Sequence, residues 1–493
     1  MPNPLLYELN TRCWLRELSE KASERITLAS VPEGEYARWK RLGFTHVWLM
    51  GVWSTGPRAR AEALRHGGLR GAYDEALPGW TEADVGGSPY AIADYVVPPA
   101  LGGEPGLEIF RERLHGQGLK LVLDFVPNHV GLDHGWVRER PELFVQSSGP
   151  TAETFSQETK AGLRWLAHGK DPYFPGWTDT VQLDYRRPET QAAMLGVLQS
   201  IATRCDGVRC DMAMLVLNDV FARTWERFAD TVEPSSVPEF WTAAISTVKK
   251  AREGFLFLAE AYWGLEWRLQ ALGFDYTYDK TLYDRLVSRD AAGAQGHLLG
   301  SSAEAVAEGA HFLENHDEHR IASILSPAEH RAAALVILGL PGMRFLHDGQ
   351  LGGARKKVPV QLLRRGTESK QPEIETMYEQ LLRALQGTAV GQGGGRLLQP
   401  RAAGADNPTW QNFVLVQWQG QAPEFDLVAV NLAPHRSQCY APLTAGGGSA
   451  SNWALRDVLG EERYERRGDE LERQGLYLDL PAHGTQLFHF RPT

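Results

Sequence analysis

Eight short apolar runs, each followed by a stretch of helical or loop character, constrain the folding of this chain more than any other feature. They lie at 5–10, 46–50, 120–125, 207–211, 255–260, 273–278, 311–314 and 343–347. Runs of four to six apolar residues fit strands buried on both faces, as in a parallel sheet. The stretches between them, such as 107–116, 188–204 and 321–340, carry the 3.6-residue periodicity of crossover helices. Eight such units predict an α/β fold of one kind, a closed (β/α)8 TIM barrel rather than an open sheet.

A barrel unit averages about 31 residues, so the interval from Asp124 to Asp211 is far too long for one crossover. The excess, 131–180, is rich in Gly, Pro, Trp and Phe and has no steady period. It predicts a loop-rich subdomain inserted after strand 3, over the face where barrel sites form. Beyond about 385 the long helical patterns stop. Apolar runs at 413–418, 427–432, 476–480 and 485–490, with a Gly-rich turn at 445–449, predict a C-terminal antiparallel β-sandwich domain. The expected division is a catalytic barrel at 1–130 and 181–385, the insertion at 131–180 and an all-β domain at 386–493.

Composition narrows the classes of function. The chain of 493 residues is 43% hydrophobic and 23% charged, close to globular averages. No apolar run is long enough to span a bilayer, and the first residues lack a positive region followed by an apolar core. A soluble cytoplasmic protein without a membrane partner is expected. The net charge of −10 is dispersed, and no basic stripe invites nucleic acid. Cys13, Cys205, Cys210 and Cys439 form no CxxC pair and read as reduced thiols. Trp410 and Trp418 read either as a polysaccharide surface or as sandwich core, the commoner role for such rings.

The chemistry is carried by strand ends. In a (β/α)8 barrel, catalytic groups stand where strands reach the C-terminal face. Four predicted strands end in acids: Asp124 with Asn128 and His129, Arg209 with Asp211, Glu260, and Glu314 with Asn315, His316 and Asp317. A carboxylate closing a buried apolar strand is costly unless it is paired, hydrogen-bonded or used. Taken singly, each acid reads as the N-cap of the next helix. Four on one rim, with Arg209, His129 and His316 beside them, do not. Retaining glycoside hydrolysis needs two carboxyl groups about 5–5.5 Å apart, and neighbouring strands four and five can supply them. Arg209 lies two residues before Asp211 on the same strand face and can hold it ionised. Glu260 follows a wholly apolar run, which favours the raised pKa that a general acid needs.

These four segments resemble the signature regions of the alpha-amylase family, glycoside hydrolase family 13, in order and spacing. Asp124, Asn128 and His129 match the first, Gly207, Arg209 and Asp211 the second, Glu260 the third, and Asn315, His316 and Asp317 the fourth. The resemblance implies Asp211 as nucleophile, Glu260 as general acid/base and Asp317 as a carboxylate that grips sugar hydroxyls. It places Asp124, His129, Arg209 and His316 around the cleaved sugar. The segment 87–95 is similar to one whose Tyr stacks on that sugar, which makes Tyr90 a substrate-binding candidate.

The sequence also departs from the family pattern. Many starch-degrading members continue the second region with Lys-His, which contacts the leaving sugar and contributes to a calcium site. Met214 and Leu215 stand there instead, and Gln350 stands where a Glu is frequent. A divergent intracellular subgroup is expected, with no cofactor required and Asn128 kept as the candidate calcium ligand. Zinc is not expected, because His129, Asp133 and His134 lack a fourth ligand. The expected function is retaining cleavage of α-glucosidic bonds in gluco-oligosaccharides or α-glucans through a covalent glycosyl-enzyme. The alternative is a transglycosidase or isomerase, of glucanotransferase or trehalose-synthase type, using the same intermediate. A non-catalytic carbohydrate-binding protein predicts loss of at least one of the three acids, and all are present. The sequence does not specify an oligomeric state.

Overall fold

Eight parallel strands close on themselves: β1 (Leu5–Asn10), β2 (His46–Met50), β3 (Lys120–Phe125), β4 (Gly207–Cys210), β5 (Leu256–Ala259), β6 (Tyr276–Tyr278), β7 (Gly309–Phe312) and β8 (Met343–His347). The computed structural model describes residues 2–231, 237–444 and 452–493. Each strand pairs with the next in parallel, and β8 returns to β1 with Phe345 opposite Leu6. Side chains alternate between the barrel axis and the surrounding helices. Leu6, Trp48, Val122, Leu258, Tyr278, Phe312 and Phe345 meet on the axis, whereas Tyr7, Val47, Leu121, Leu123 and Phe257 pack in the larger core that includes the helices. Both sets are buried, which explains why the strands read as unbroken apolar runs. Each fully buried Leu or Phe contributes about 1.5–3 kcal/mol.

Four rings plug the axis. Trp48, Tyr278, Phe312 and Phe345 contact one another with centroids 5.2 to 5.9 Å apart, in tilted and edge-on arrangements that favour aromatic attraction. β4 must begin with glycine, because a Cβ on Gly207 would stand 2.8 Å from Leu256 Cβ on the adjacent strand.

Some elements are shorter than predicted. β4, β5 and β7 end before Asp211, Glu260 and Glu314, so the acids stand just past the strands. The sheet ladder nonetheless continues one residue further: Asp211 N donates to Phe125 O at 2.9 Å, and Glu260 N to Cys210 O at 3.0 Å. This fixes the backbone of both acids. The predicted strand at 273–278 opens on Gly273, whose φ of +107° belongs to the turn after the helix Glu266–Ala271. The predicted helix at 321–340 is two helices, Ile321–Ile324 and Pro327–Gly339. Ser326 and Glu329 form a capping box with Pro327 in the first turn, a start signal present in the sequence.

The inserted stretch carries more order than a loop-rich reading implies. Gln146–Ser147, Thr154–Thr159 and Gly162–Ala167 form an antiparallel sheet. Its strands are short and mostly half-buried, and the alternation of Thr154–Thr159 is largely polar. At its base Thr180–Gln182 pairs antiparallel with His129–Gly131, setting Gln182 opposite His129.

The C-terminal strands form a sandwich of a six-stranded and a three-stranded sheet. Phe413, Leu415, Leu427 and Ala429 share a core with Cys439 and Leu478, whereas Val414, Val416, Trp418, Val428 and Val430 pack with the barrel. The helix Pro327–Gly339 is thus covered on all sides, and its second half is wholly buried. Trp418 Nε1 donates to Gly339 O at 2.8 Å, and a Cβ on Gly339 would lie 2.8 Å from Val428 Cγ1. Trp418 therefore packs and offers no ring to a glycan; Trp410 is half-buried against the sandwich core. The Gly-rich turn expected at 445–449 lies outside the described residues. All four cysteines are buried and unpaired. Among the described residues no helix is long and apolar enough to cross a membrane.

Replacing Trp418 by Ala removes the wedge between sheet and helix and leaves a cavity. The expected cost is about 3–5 kcal/mol, read from the midpoint and slope of urea unfolding. A loss below about 1 kcal/mol would show that the packing between sheet and barrel contributes little to stability.

Candidate active site

Arg209 is the penultimate residue of β4, and its side chain points to the axis above the aromatic plug. It has no exposed side-chain surface. Its guanidinium carbon lies 5.2 Å from the ring centres of Trp48 and Tyr90 and 5.8 Å from that of Tyr278. Such a cation is tolerated only when paired. Nη1 donates to Asp211 Oδ1 at 2.7 Å and Nη2 to Glu260 Oε2 at 2.6 Å, while Nε reaches the Tyr278 hydroxyl at 3.3 Å. Burial works against its charge, but Glu260, Tyr278, Tyr90 and Asp211 more than offset that cost and hold Arg209 protonated.

Asp124 braces the same cation from β3. Its carboxylate accepts from Trp48 Nε1 at 3.1 Å and from Gly51 N at 2.9 Å, and stands 3.9 Å from Arg209 Nη1. Burial pushes it up to about 7 against the pull of Arg209. Burial also lifts Asp211 above its ordinary value, with Arg209 opposing. Glu260 is pushed up to about 7, by burial first and by Asp211 and Asp317 after the opposing Arg209. Its Oε2 takes a second donor, Met212 N at 2.7 Å, and its Oε1 accepts from the Tyr262 hydroxyl at 2.8 Å. Met212 holds φ at +42°, a left-handed backbone uncommon for a side chain of its size.

The fourth strand end completes the rim. His316 Nδ1 lies 2.5 Å from Glu8 Oε1, and Nε2 lies 2.9 Å from Asp317 Oδ2 and 2.8 Å from the Tyr90 hydroxyl. Tyr90 stacks on the imidazole with centroids 5.3 Å apart. Burial disfavours the imidazolium, but Asp317 and Glu8 together raise His316 well above its usual range. Asp317 in turn is held well below the carboxylate range: burial would raise it, and His316 and Arg209 outweigh that. With 49% of its side chain accessible, Asp317 stands at the mouth, whereas Asp211 and Glu260 are buried. His129 lies beside the insertion, 5.1 Å from Trp177, and burial keeps it neutral, down to about 3. The residues proposed from sequence thus come together. Asp124, Arg209, Asp211, Glu260, Tyr90, His316 and Asp317 form one connected network, and His129, at the insertion's base, joins it through a hydrogen bond to the Tyr90 backbone.

Sequence reasoning missed several members. Glu8 is buried in β1, and the signal was there: one acid set among Leu5, Leu6, Tyr7 and Leu9. Trp48, Tyr262 and Tyr278 carried no signal beyond being aromatic. Lys357, whose ammonium donates to the Asp317 carbonyl, arrives from the loop after β8 and had none.

Asn128, the candidate calcium ligand, is engaged with Gln182. Its side-chain oxygen accepts from Gln182 Nε2 at 2.9 Å and its amide donates to Gln182 Oε1 at 3.2 Å, so both ends are used in closing the insertion. Asp133 Oδ2 accepts from Arg58 N at 2.8 Å. Among the described residues no group of three or more His, Cys, Asp or Glu could hold a metal ion. Met214 and Leu215 are buried in the core, and Gln350 bonds to His347 N and the Tyr378 hydroxyl.

Arg209→Met would leave two buried carboxylates without their cation. A loss of about 3–5 kcal/mol is expected at pH 8, shrinking at pH 5 as the acids protonate without their partner. Urea unfolding at both pH values checks this, and an equal loss at both would rule out the electrostatic account.

Comparisons with known proteins place this geometry. A family model for the alpha-amylase catalytic domain matches residues 38–383. The chain is 26% identical over 274 residues to alpha-amylase MalA of Haloarcula japonica, a match covering 54% of this chain and 36% of that protein. Among solved structures, a noncanonic maltogenic alpha-amylase, AmyB of Thermotoga neapolitana, superposes with a TM-score of 0.67 at 18% identity, over 99% of this chain and 98% of its own. The acarbose complex of an alpha-amylase from Geobacillus thermoleovorans gives 0.66, also at 18% identity, over 99% and 98%. At that identity the structures speak for the fold. The family model spans the greater part of the chain and includes every strand-end acid of the rim, so the protein belongs to the alpha-amylase family.

Proposed function

We propose that this chain cleaves α-glucosidic bonds in gluco-oligosaccharides or α-glucans with retention of configuration, through a covalent glycosyl-enzyme. The observation that carries the reading is the single guanidinium joined to both Asp211 and Glu260. Two carboxylates on adjacent nitrogens of one arginine fit the roughly 5–5.5 Å spacing of retaining enzymes better than the wider gap that admits a water.

Asp211 Oδ1 is occupied by Arg209, which leaves Oδ2 to attack the anomeric carbon. Glu260 Oε2 accepts two N–H bonds, so its proton resides on Oε1, whose one partner is the Tyr262 hydroxyl. As the C–O bond breaks, that proton passes to the leaving oxygen and Asp211 becomes esterified. Water then enters, Glu260 takes its proton, and the water oxygen attacks the same carbon from the leaving-group side as the bond to Asp211 breaks and its carboxylate is released. Asp317, ionised at the mouth and braced by His316, is placed to grip sugar hydroxyls as the ring flattens. The split titration supports these roles, because Glu260 is held up and Asp317 down by their surroundings. The family's acarbose-bound and maltogenic relatives are consistent with an α-glucan substrate.

Activity on maltotriose needs Glu260 protonated and Asp211 ionised. The rate constant kcat/KM should fall as pH rises through about 7, and fall again as pH drops through the raised Asp211 value. Glu260→Gln should lower kcat about 10²–10⁴-fold and abolish the alkaline limb while keeping the acid limb. An unchanged pH profile would remove Glu260 from the role. Glucose and maltose as sole products fit hydrolysis, whereas longer oligosaccharides would favour the transglycosidase alternative.

A further inference from the structure

An open groove of about 970 Å³ lies outside this rim, between the helix Thr11–Ala22, the segment 53–57, Gly86 and Gly87, and the segment 98–101. Its wall carries Arg12, Arg16, Arg25 and Arg60. Arg16 pairs with Glu20 at 2.7 Å. Among the described residues the other three make no ion pair, and neutral oxygens hold them. Arg12 donates to Gly87 O at 2.8 Å and Thr55 Oγ1 at 3.3 Å. Arg25 donates to Ala100 O at 3.1 Å and Pro99 O at 3.3 Å, and Arg60 to Val85 O at 2.8 Å and Glu82 O at 2.5 Å.

This arrangement is unusual for an acidic chain. Arg12 and Arg60 are half-buried, and the acids that share the wall, Glu20 and Glu24, are exposed. With no carboxylate beside it, burial pulls Arg12 down to about 10. Each guanidinium carries five N–H donors in a planar fork that matches carboxylate and phosphate, and backbone carbonyls use only part of that capacity. The volume is that of a ligand site, for which roughly 300–1,000 Å³ is usual.

We propose that this groove binds a small organic polyanion of sugar-phosphate size, its charged group held among Arg12, Arg25 and Arg60. Phosphoryl and polycarboxylate ligands share this chemistry. The occupant is separate from the glycan at the rim, so the proposal does not depend on the activity argued above.

Isothermal titration of the full chain with glucose 6-phosphate, inorganic phosphate, citrate and glucose tests it. One saturable site is expected for an anion at millimolar or lower concentration, weakening as salt is added, with no binding of glucose there. Preference for the phosphates or for citrate identifies which anionic group the site takes. Arg25→Gln and Arg60→Gln should each weaken binding about tenfold or more, and Arg25 is exposed, so its variant keeps the fold. The proposal is overturned if no anion binds, if glucose competes with the anion, or if both variants bind as the unaltered protein does.

Discussion

A guanidinium sealed from solvent is stable only if its surroundings supply what water would have given, and at Arg209 they do so in two ways. Below it, Trp48 and Tyr278, with Tyr90 alongside, present ring faces. Around it, Asp211 and Glu260 accept its strongest hydrogen bonds, and Asp124 approaches from β3. The acids need Arg209 as much as it needs them, since either sign alone at this depth would be costly. The barrel meets the geometric demand. Its strands bring residues distant in sequence to one point, and ladder bonds one residue past β4 and β5 fix where Asp211 and Glu260 begin.

The same interlocking sorts the acids by environment. Glu260 faces burial and like charges and is held toward its neutral form, although Arg209 pulls the other way. Asp317 has a private cation in His316, itself backed by Glu8, and stays ionised at the open edge. His316 thus stands between Glu8 and Asp317, and Arg209 between Asp124 and Glu260. Three carboxylic acids of similar intrinsic strength, Asp211, Glu260 and Asp317, are pushed in different directions by where the chain places them.

The barrel was legible because burial on both faces leaves its mark strand by strand, and Arg209 because two residues of strand separate it from Asp211. What escaped reading depends on partners remote in sequence. Glu8 is one acid among apolar neighbours in sequence, and its partner His316 comes from just past β7. Lys357 reaches Asp317 from a loop without periodicity. In the hairpin 154–167 the first strand is too polar to betray itself, and Met212 gives no local sign that its amide turns toward Glu260. The break at Ser326 was readable, since Ser-Pro-Ala-Glu is a helix start, but the apolar period running across it is the louder signal.

The central claim is that Asp211 carries the sugar. An α-glucosyl fluoride bearing a further ring fluorine, which slows both steps but deglycosylation more, should trap the glycosyl-enzyme for peptide mass spectrometry. The account predicts one glucosyl ester, on the peptide containing Asp211 and absent in Asp211→Asn, with turnover releasing α-configured product. A label on another residue, or product of inverted configuration, would contradict it.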